Sequence, residues 1–324
     1  MRALDYALKR IALAAITLFV VVSMNFALFR VLPGDAVTKL GRDARLSAAA
    51  QQDLRRQFGL DKSVPGQYVA YLGQLAQGNL GISYQSRRAV RDELWDDLKN
   101  TVPLVALATL LAVVLGVATG VVAAWRRGTL LEKASVWTGL AFFSLPTQWL
   151  AIMLILYLAG PLGLPTHGIS DPYLSFSNPG LWGELTDRLS HMVLPSLTLA
   201  LVLYGEYTLI ARSALLETFG EDYVLTARAK GLTTWQVVRR HALRNSLLPI
   251  TTLVFLSLGF IAAGSILIEA VFSYPGIGLL AYQSVFQKDY PMLQGAFLLI
   301  TASIVVANLI ADLLYVKLDP RIVE

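Results

Sequence analysis

The chain has 324 residues, of which 55% are hydrophobic and 15% charged, with a mean hydropathy of +0.57. That balance excludes an ordinary soluble domain, where about a quarter of residues carry charge. The absence of cysteine excludes disulfides and thiolate metal sites.

Six apolar runs reach or approach the roughly 20 residues that cross a bilayer: Ile11–Phe29, Val102–Ala124, Ala134–Leu158, Met192–Ala211, Leu248–Ala270 and Leu293–Val316. The expected fold is an all-α polytopic membrane protein with six transmembrane helices. Lys and Arg set its orientation. With a cytoplasmic N-terminus, the inside segments 1–10, 125–133, 212–247 and 317–324 hold fourteen basic residues, and the short outside loops 159–191 and 271–291 hold only Arg188 and Lys288. Segment 30–100 carries eleven more but is too long to count, because long loops translocate regardless of charge. Both termini are expected inside. The net charge of +5 then follows from inside-loop lysines and arginines and calls for no nucleic acid.

In chain order, residues 1–29 read as a cytoplasmic N-terminus and first span. Arg2, Lys9 and Arg10 precede an apolar run that resembles a signal sequence. The run is too long for one, and Leu32-Pro33-Gly34-Asp35 offers no small-x-small cleavage site. Residues 30–100 read as a folded extracytoplasmic insertion. Ser47 is placed to cap a helix over Ala48–Phe58 that Gly59 stops, Pro65 opens a second that ends at Gly78, and a charged third runs from Arg88 to Lys99.

Residues 101–324 read as the core of the bundle. Thr101 with Pro103, and Ser246 with Pro249, are spaced as a cap followed by an N-terminal proline opening the second and fifth spans. Pro146 should kink the third span. Gly116 and Gly120 form a small-xxx-small face on the second. Glu206, Glu269 and Asp312 lie in or near spans, where a charge at the helix centre costs about 2.5–3.5 kcal/mol on insertion scales. Glu206 has two readings, one lining a translocation path and one hydrated near the inner interface. Its six-residue offset from Arg212 takes the two off a common helical face. Glu269 and Asp312, near span ends, read as structural. No H-E-x-x-H, G-x-S-x-G or G-x-x-x-x-G-K-[ST] pattern is present, and the three histidines are scattered. An enzyme is not indicated, and any ATP-driven step belongs to another chain.

The inside loop 212–247 carries the functional signal. Asp222 is expected to cap a short helix on which Tyr223 and Ala227 share a face, and Gly231 to end it in the left-handed conformation. Thr233 caps a second helix running to about Leu243, with Trp235, Val238 and Ala242 as an apolar stripe and Arg240 and Arg244 as a basic one. Aromatic and arginine side chains on such an element suit a protein partner. The alternative is an amphipathic element lying on anionic headgroups.

Thr226–Leu232 (TARAKGL) and His241–Pro249 (HALRNSLLP) resemble the Glu-Ala-Ala loop of importer-type ABC transporter permeases, in the branch that handles dipeptides, oligopeptides and nickel. Leu225-Thr226-Ala227 stands where the general pattern has Glu-Ala-Ala, so the acidic position is Leu225 here. Further similarities follow in order at Leu32–Asp35, Gly78–Ser83, Phe272–Gly278 (FSYPGIG) and Leu318–Arg321. The resemblance implies a type I importer permease architecture. It also implies a second, homologous permease, two ATP-binding subunits holding ATP and Mg, and an extracytoplasmic solute-binding protein. This chain itself would bind no cofactor and no metal. Asp222, Tyr223, Thr226, Ala227, Arg228, Lys230, Gly231, Leu232, Trp235 and Val238 would meet an ATP-binding subunit, with Glu206 on the path. The implied solute is a peptide, with an oligosaccharide or a nickel chelate as the alternatives within the branch. An ion-coupled secondary transporter is the rival from another class; it would need paired broken helices and mid-membrane acids.

Overall fold

The computed structural model describes residues 3–31, 62–173, 180–243 and 266–318, and between the last two stretches residues 246, 249–251, 253, 254 and 257. The helices are α1 (Ala3–Val31), α2 (Val64–Ala76), α3 (Val90–Trp125), α4 (Leu130–Ser144), α5 (Thr147–Leu154), α6 (Gly180–Thr218), α7 (Asp222–Ala229), α8 (Thr234–Val237), α9 (Ile266–Val271), α10 (Ile277–Gln287) and α11 (Tyr290–Leu318). Four of them, α1, α3, α6 and α11, are long and apolar enough to cross a membrane. The pair α4–α5 makes a fifth if its two arms count as one span. Most of the expected fifth span, the expected helix 48–58 with its caps Ser47 and Gly59, the Leu32–Asp35 motif, Arg244 and residues 319–324 lie outside the described residues.

Three expectations about punctuation change. The charged segment after Arg88 and the second span are one helix, α3, with Pro103 in its interior. The carbonyl that Pro103 leaves without a donor belongs to exposed Lys99, where water can satisfy it, so the helix carries through. Thr101 is consequently a buried helical residue and no cap. Pro146 does more than kink: it starts α5 after a break at Leu145, and the two arms are bent by 103°. From there α5 continues through a π-helical turn, Ile155–Ala159, to Leu162.

Small residues decide how the long helices pack. A Cβ on Gly116 would lie 2.5 Å from the Tyr207 Cβ, and one on Gly120 2.6 Å from the Thr208 carbonyl, so α3 rests on α6 at backbone distance. The Thr119 and Thr208 hydroxyls share a 3.0 Å hydrogen bond across the same seam. On another side of α6, Gly205 meets Gly139 of α4 so closely that any Cβ there would overlap the Gly139 carbonyl. Apart from these, α1 lies antiparallel to α11. Arg10 pairs with Asp312 at 2.9 Å near one end, and the Asn25 amide donates to the Gln294 carbonyl at 3.0 Å near the other.

At the end of the bundle opposite α7 and α8, two buried carboxylates fasten the loops. Glu269 is fully buried. Its Oε1 accepts from the Thr101 hydroxyl (3.0 Å), and its Oε2 accepts from the Gly278 and Leu279 amides (2.8 and 3.1 Å) at the start of α10. Thr101 in turn accepts from the Ile277 amide at 2.9 Å, and Asn100 donates to the Pro275 carbonyl at 2.8 Å. The FSYPGIG motif is the backbone that fits this knot. A Cβ on Gly276 would sit 2.5 Å from Glu269 Oε2, and one on Gly278 2.7 Å from Ile266 Cα. The second carboxylate, Asp289, accepts from the Ser83 hydroxyl (2.5 Å) and from the Tyr84, Gln85 and Met292 amides. It docks the Gly78–Ser83 turn, whose Gly78 and Gly81 adopt φ of +72° and +88°, onto the start of α11.

Two outcomes follow. Replacing Gly205 by Val should pry α4 from α6 and cost about 2 kcal/mol, as overpacking typically does, read as a lower melting temperature in detergent. Gly73→Ala, on α2 with nothing within 4 Å, should leave it unchanged. Glu269→Ala strands three donors, two of them buried, at roughly 1–3 kcal/mol for each buried group left unsatisfied. Glu269→Gln, which keeps one acceptor oxygen for the two amides, should lose much less. Equal melting of the two variants would contradict the capping role.

Candidate coupling element

After α6 ends at Thr218, the chain turns through Phe219 and Gly220 into α7. The expected cap shifts by one residue: Glu221 occupies the N-cap position and makes no side-chain cap bond. Asp222 sits in the first turn and Arg228 in the last, both complementing the helix dipole. Gly231 has φ +83°, the left-handed conformation that ends the helix, with the Gly231 amide bonded to the Arg228 carbonyl (2.9 Å) and the Leu232 amide to the Ala227 carbonyl (3.3 Å). Thr233 then opens α8 with a reciprocal capping box. Its amide donates to Gln236 Oε1 at 2.9 Å, and the Gln236 amide donates to its hydroxyl at 3.4 Å. The helix continues through a π-helical turn, Val238–Ala242.

Burial divides this element into an inner and an outer face. Val224, Ala227 and Val237 pack with Phe219 and Leu232, so α7 and α8 share a small core of their own. Val238 and Ala242 insert between Ala124 at the end of α3 and Leu215 at the end of α6. Trp235 lies against Trp125 with ring centroids 5.0 Å apart, and the Arg126 guanidinium covers the Trp125 ring at 4.2 Å. The Arg228 guanidinium stands over Phe219 at 5.5 Å.

The ten residues singled out from the sequence are therefore brought onto one element but not onto one face. Asp222, Tyr223, Thr226, Arg228, Lys230, Gly231 and Trp235 are exposed, and Leu232 is half-buried. Ala227 and Val238 are buried in the packing of the element itself, where Val238 has no exposed surface. The stripe Trp235–Val238–Ala242 faces the bundle, because it is the seam that fastens α8 to α3 and α6. Leu225 joins the outer face at 53% exposure. The seam residues Ala124, Trp125, Leu215 and Phe219 went unnoticed in the sequence. They sit at the ends of long apolar runs, where nothing in the pattern separates a lipid-facing residue from one that receives another element.

Beside the element, Arg212 of α6 pairs with Glu132 of α4, donating from Nε at 3.0 Å and also from Nη2. The other Glu132 oxygen accepts from the Gly128 amide at 2.5 Å, tying the turn between α3 and α4 to the same point. This pair also fell outside the sequence reading, since 80 positions separate its members. Glu206 is half-buried on α6 and is not joined to Arg212. Among the described residues no group of three His, Cys, Asp or Glu is arranged to hold a metal ion.

Comparison with known proteins places this arrangement. Residues 116–324 match the family described as binding-protein-dependent transport system inner membrane component, and residues 3–105 match its N-terminal companion. The dipeptide transport system permease protein DppB of Escherichia coli K12 is 36% identical over 98% of both chains. The di/tripeptide transport system permease protein DppB of Pseudomonas aeruginosa is 35% identical, also over 98% of both. Among solved structures, the inward-facing MetNI methionine ABC transporter shares the fold with a TM-score of 0.55 and 18% identity, covering 70% of this chain and 96% of that one. With both halves matched and the relatives collinear from end to end, the chain belongs to the inner-membrane permease family of binding-protein-dependent ABC importers.

Proposed function

We propose that this permease imports short peptides. A second permease would complete its path, an extracytoplasmic binding protein would deliver the solute, and two subunits that hydrolyse ATP with Mg would drive it. The α7–α8 element would lie in the cytoplasm with both termini, in keeping with fourteen inside basic residues against two outside. The peptide assignment rests on relatives named for dipeptides and di/tripeptides that align over 98% of the chain.

One observation carries the coupling reading: the element is buried on the side facing the bundle and exposed, aromatic and basic on the other. Tyr223, Leu225, Arg228 and Lys230 form the outer face, a composition suited to a protein groove. Because Val238 and Ala242 are wedged between Ala124 and Leu215, a partner that displaces α7 and α8 must displace the ends of α3 and α6 with them. Close-packed seams transmit such movement because they cannot deform gradually. ATP binding on the partner would thereby reach the spans.

Purification of the tagged chain in mild detergent should bring down a second permease and Walker-motif ATPases in defined stoichiometry. A homo-oligomer without an ATPase would refute the assignment. Gly231→Val should uncouple ATP hydrolysis from uptake in the reconstituted complex. No atom lies within 4 Å of a Cβ at this position, so the cost falls on the left-handed backbone alone, about 1–2 kcal/mol. Gly231→Asn, which tolerates that conformation, should stay near wild type. Normal coupling in the valine variant would show that the turn transmits nothing.

A further inference from the structure

Most acidic groups in or beside the spans already have partners. Glu132 holds Arg212, Asp312 holds Arg10, and Glu269 has a hydroxyl and two amides. Glu206 is different. Among the described residues no cation pairs with it, and Arg212, the nearest basic residue along its helix, is engaged by Glu132. Its neighbour in space, the fifth span, reaches α6 through Ile250, Leu253 and Val254 packed with Leu203, Tyr207 and Ile210, and through Ser257 bonded to the Tyr207 hydroxyl at 2.8 Å. That span, Leu248–Ala270, contains no Lys, Arg or His and cannot supply a counter-charge.

The direction of Glu206 follows from its neighbours. Tyr207, Thr208 and Ala211 meet α3, while Gly205 and Arg212 meet α4. At 3.6 residues per turn, Glu206 is rotated about 100° from Gly205 on one side and about 100° from Tyr207 on the other. It thus projects from the side of α6 that neither α3 nor α4 covers, on a half-buried to exposed stripe with Val202, Leu209, Ser213 and Glu217. With a rise of 1.5 Å per residue, it lies about 9 Å deeper in the bundle than the Arg212–Glu132 pair. An ionised carboxylate at that depth stays only where a cation or water reaches it.

We infer that Glu206 is the counter-charge for the cationic amino terminus of the peptide as it passes, a specificity-determining residue on the face of α6 that α3 and α4 leave free. This rests on the proposed peptide import. The ammonium of a short peptide is its one constant positive group, whatever the side chains. A carboxylate flanked on its stripe by apolar Val202 and Leu209, with Glu217 about three turns away, would offset the loss of its hydration without gripping the variable parts. The pairing would be transient, since Val202 and Leu209 beside Glu206 offer the solute no polar group.

The complete transporter, reconstituted in vesicles with its binding protein saturated by a dipeptide, provides the test. Glu206→Gln should slow uptake at least tenfold while subunit stoichiometry and the ATPase activity stimulated by the loaded binding protein stay near wild type. Glu206→Asp should recover most of the rate. Because the chain has no cysteine, Glu206→Cys creates a single thiol in it. Assembled with cysteine-free partner subunits, that thiol should react with a water-soluble thiol reagent, and dipeptide turnover should slow the labelling severalfold. Wild-type uptake by Glu206→Gln, or a thiol that dipeptide does not protect, would overturn the inference and leave peptide import standing. So would loss of the second permease from the Glu206→Gln complex, which would assign the charge to a contact between chains. Failure of the wild-type transporter to import any dipeptide would instead overturn the substrate assignment, and this inference with it.

Discussion

Gly116, Gly120 and Gly139 let two helices lie against α6 at backbone distance, and the seams around α6 follow from that contact. Lipid tails are as apolar as leucine, so burial of apolar surface does not draw helices together inside a bilayer; close van der Waals approach and hydrogen bonds do. Once α3 and α4 sit on α6, the Thr119–Thr208 bond and the Arg212–Glu132 pair fall into register along its length. The ends of α3 and α6 then stand side by side and form the slot that Val238 and Ala242 fill. The exposed face of α6 is simply what these contacts leave uncovered.

The candidate coupling element shows how a short polar segment can be stiff. Neither α7, with eight residues, nor α8, with four, would persist alone, because a helix this short does not repay its nucleation cost. Three local devices compensate: the left-handed Gly231, the capping box at Thr233 and the shared core of Val224, Ala227 and Val237. The attachment to the bundle is of another kind. It rests on buried aliphatic contacts and a pair of tryptophan rings. Stiffness inside the element and firm attachment at its root are what the proposed lever would require.

Much of this was legible in the sequence, and what was missed has physical reasons. Hydropathy located the long helices because the bilayer demands unbroken apolar length, and the glycine spacing on α3 correctly named its contact face. Local rules identified Gly231 and Thr233, because left-handed turns and capping boxes depend on neighbours a few positions away. The same rules failed at Thr101 and Pro103. Their spacing fits a cap, but Thr101 is claimed by Glu269, 168 positions later. They failed again at Val238, where an apolar stripe on an amphipathic helix looks the same whether it awaits a partner or is already covered by its own chain. Pairing across the fold is invisible to periodicity, which is why Glu132–Arg212 and the docking of Ser83 on Asp289 emerged only in three dimensions.

The buried and half-buried carboxylates sort by what satisfies them, and that sorting separates architecture from transport. Glu269 and Asp289 accept from hydroxyls and backbone amides. Such donors are fixed by the fold, so these two residues fasten loops to helices at one end of the bundle. Glu132 and Asp312 are satisfied by arginines at the other end, tying helix to helix. In all four the partner belongs to the same chain and is in place before any solute arrives. Glu206 has the same chemistry but, among the described residues, no such partner, and it points away from α3 and α4. A carboxylate is kept at membrane depth when something offsets its cost. Where the described fold supplies no cation, the compensation comes from water or from a charge outside the chain, and the proposed pairing with the solute's ammonium is of the second kind.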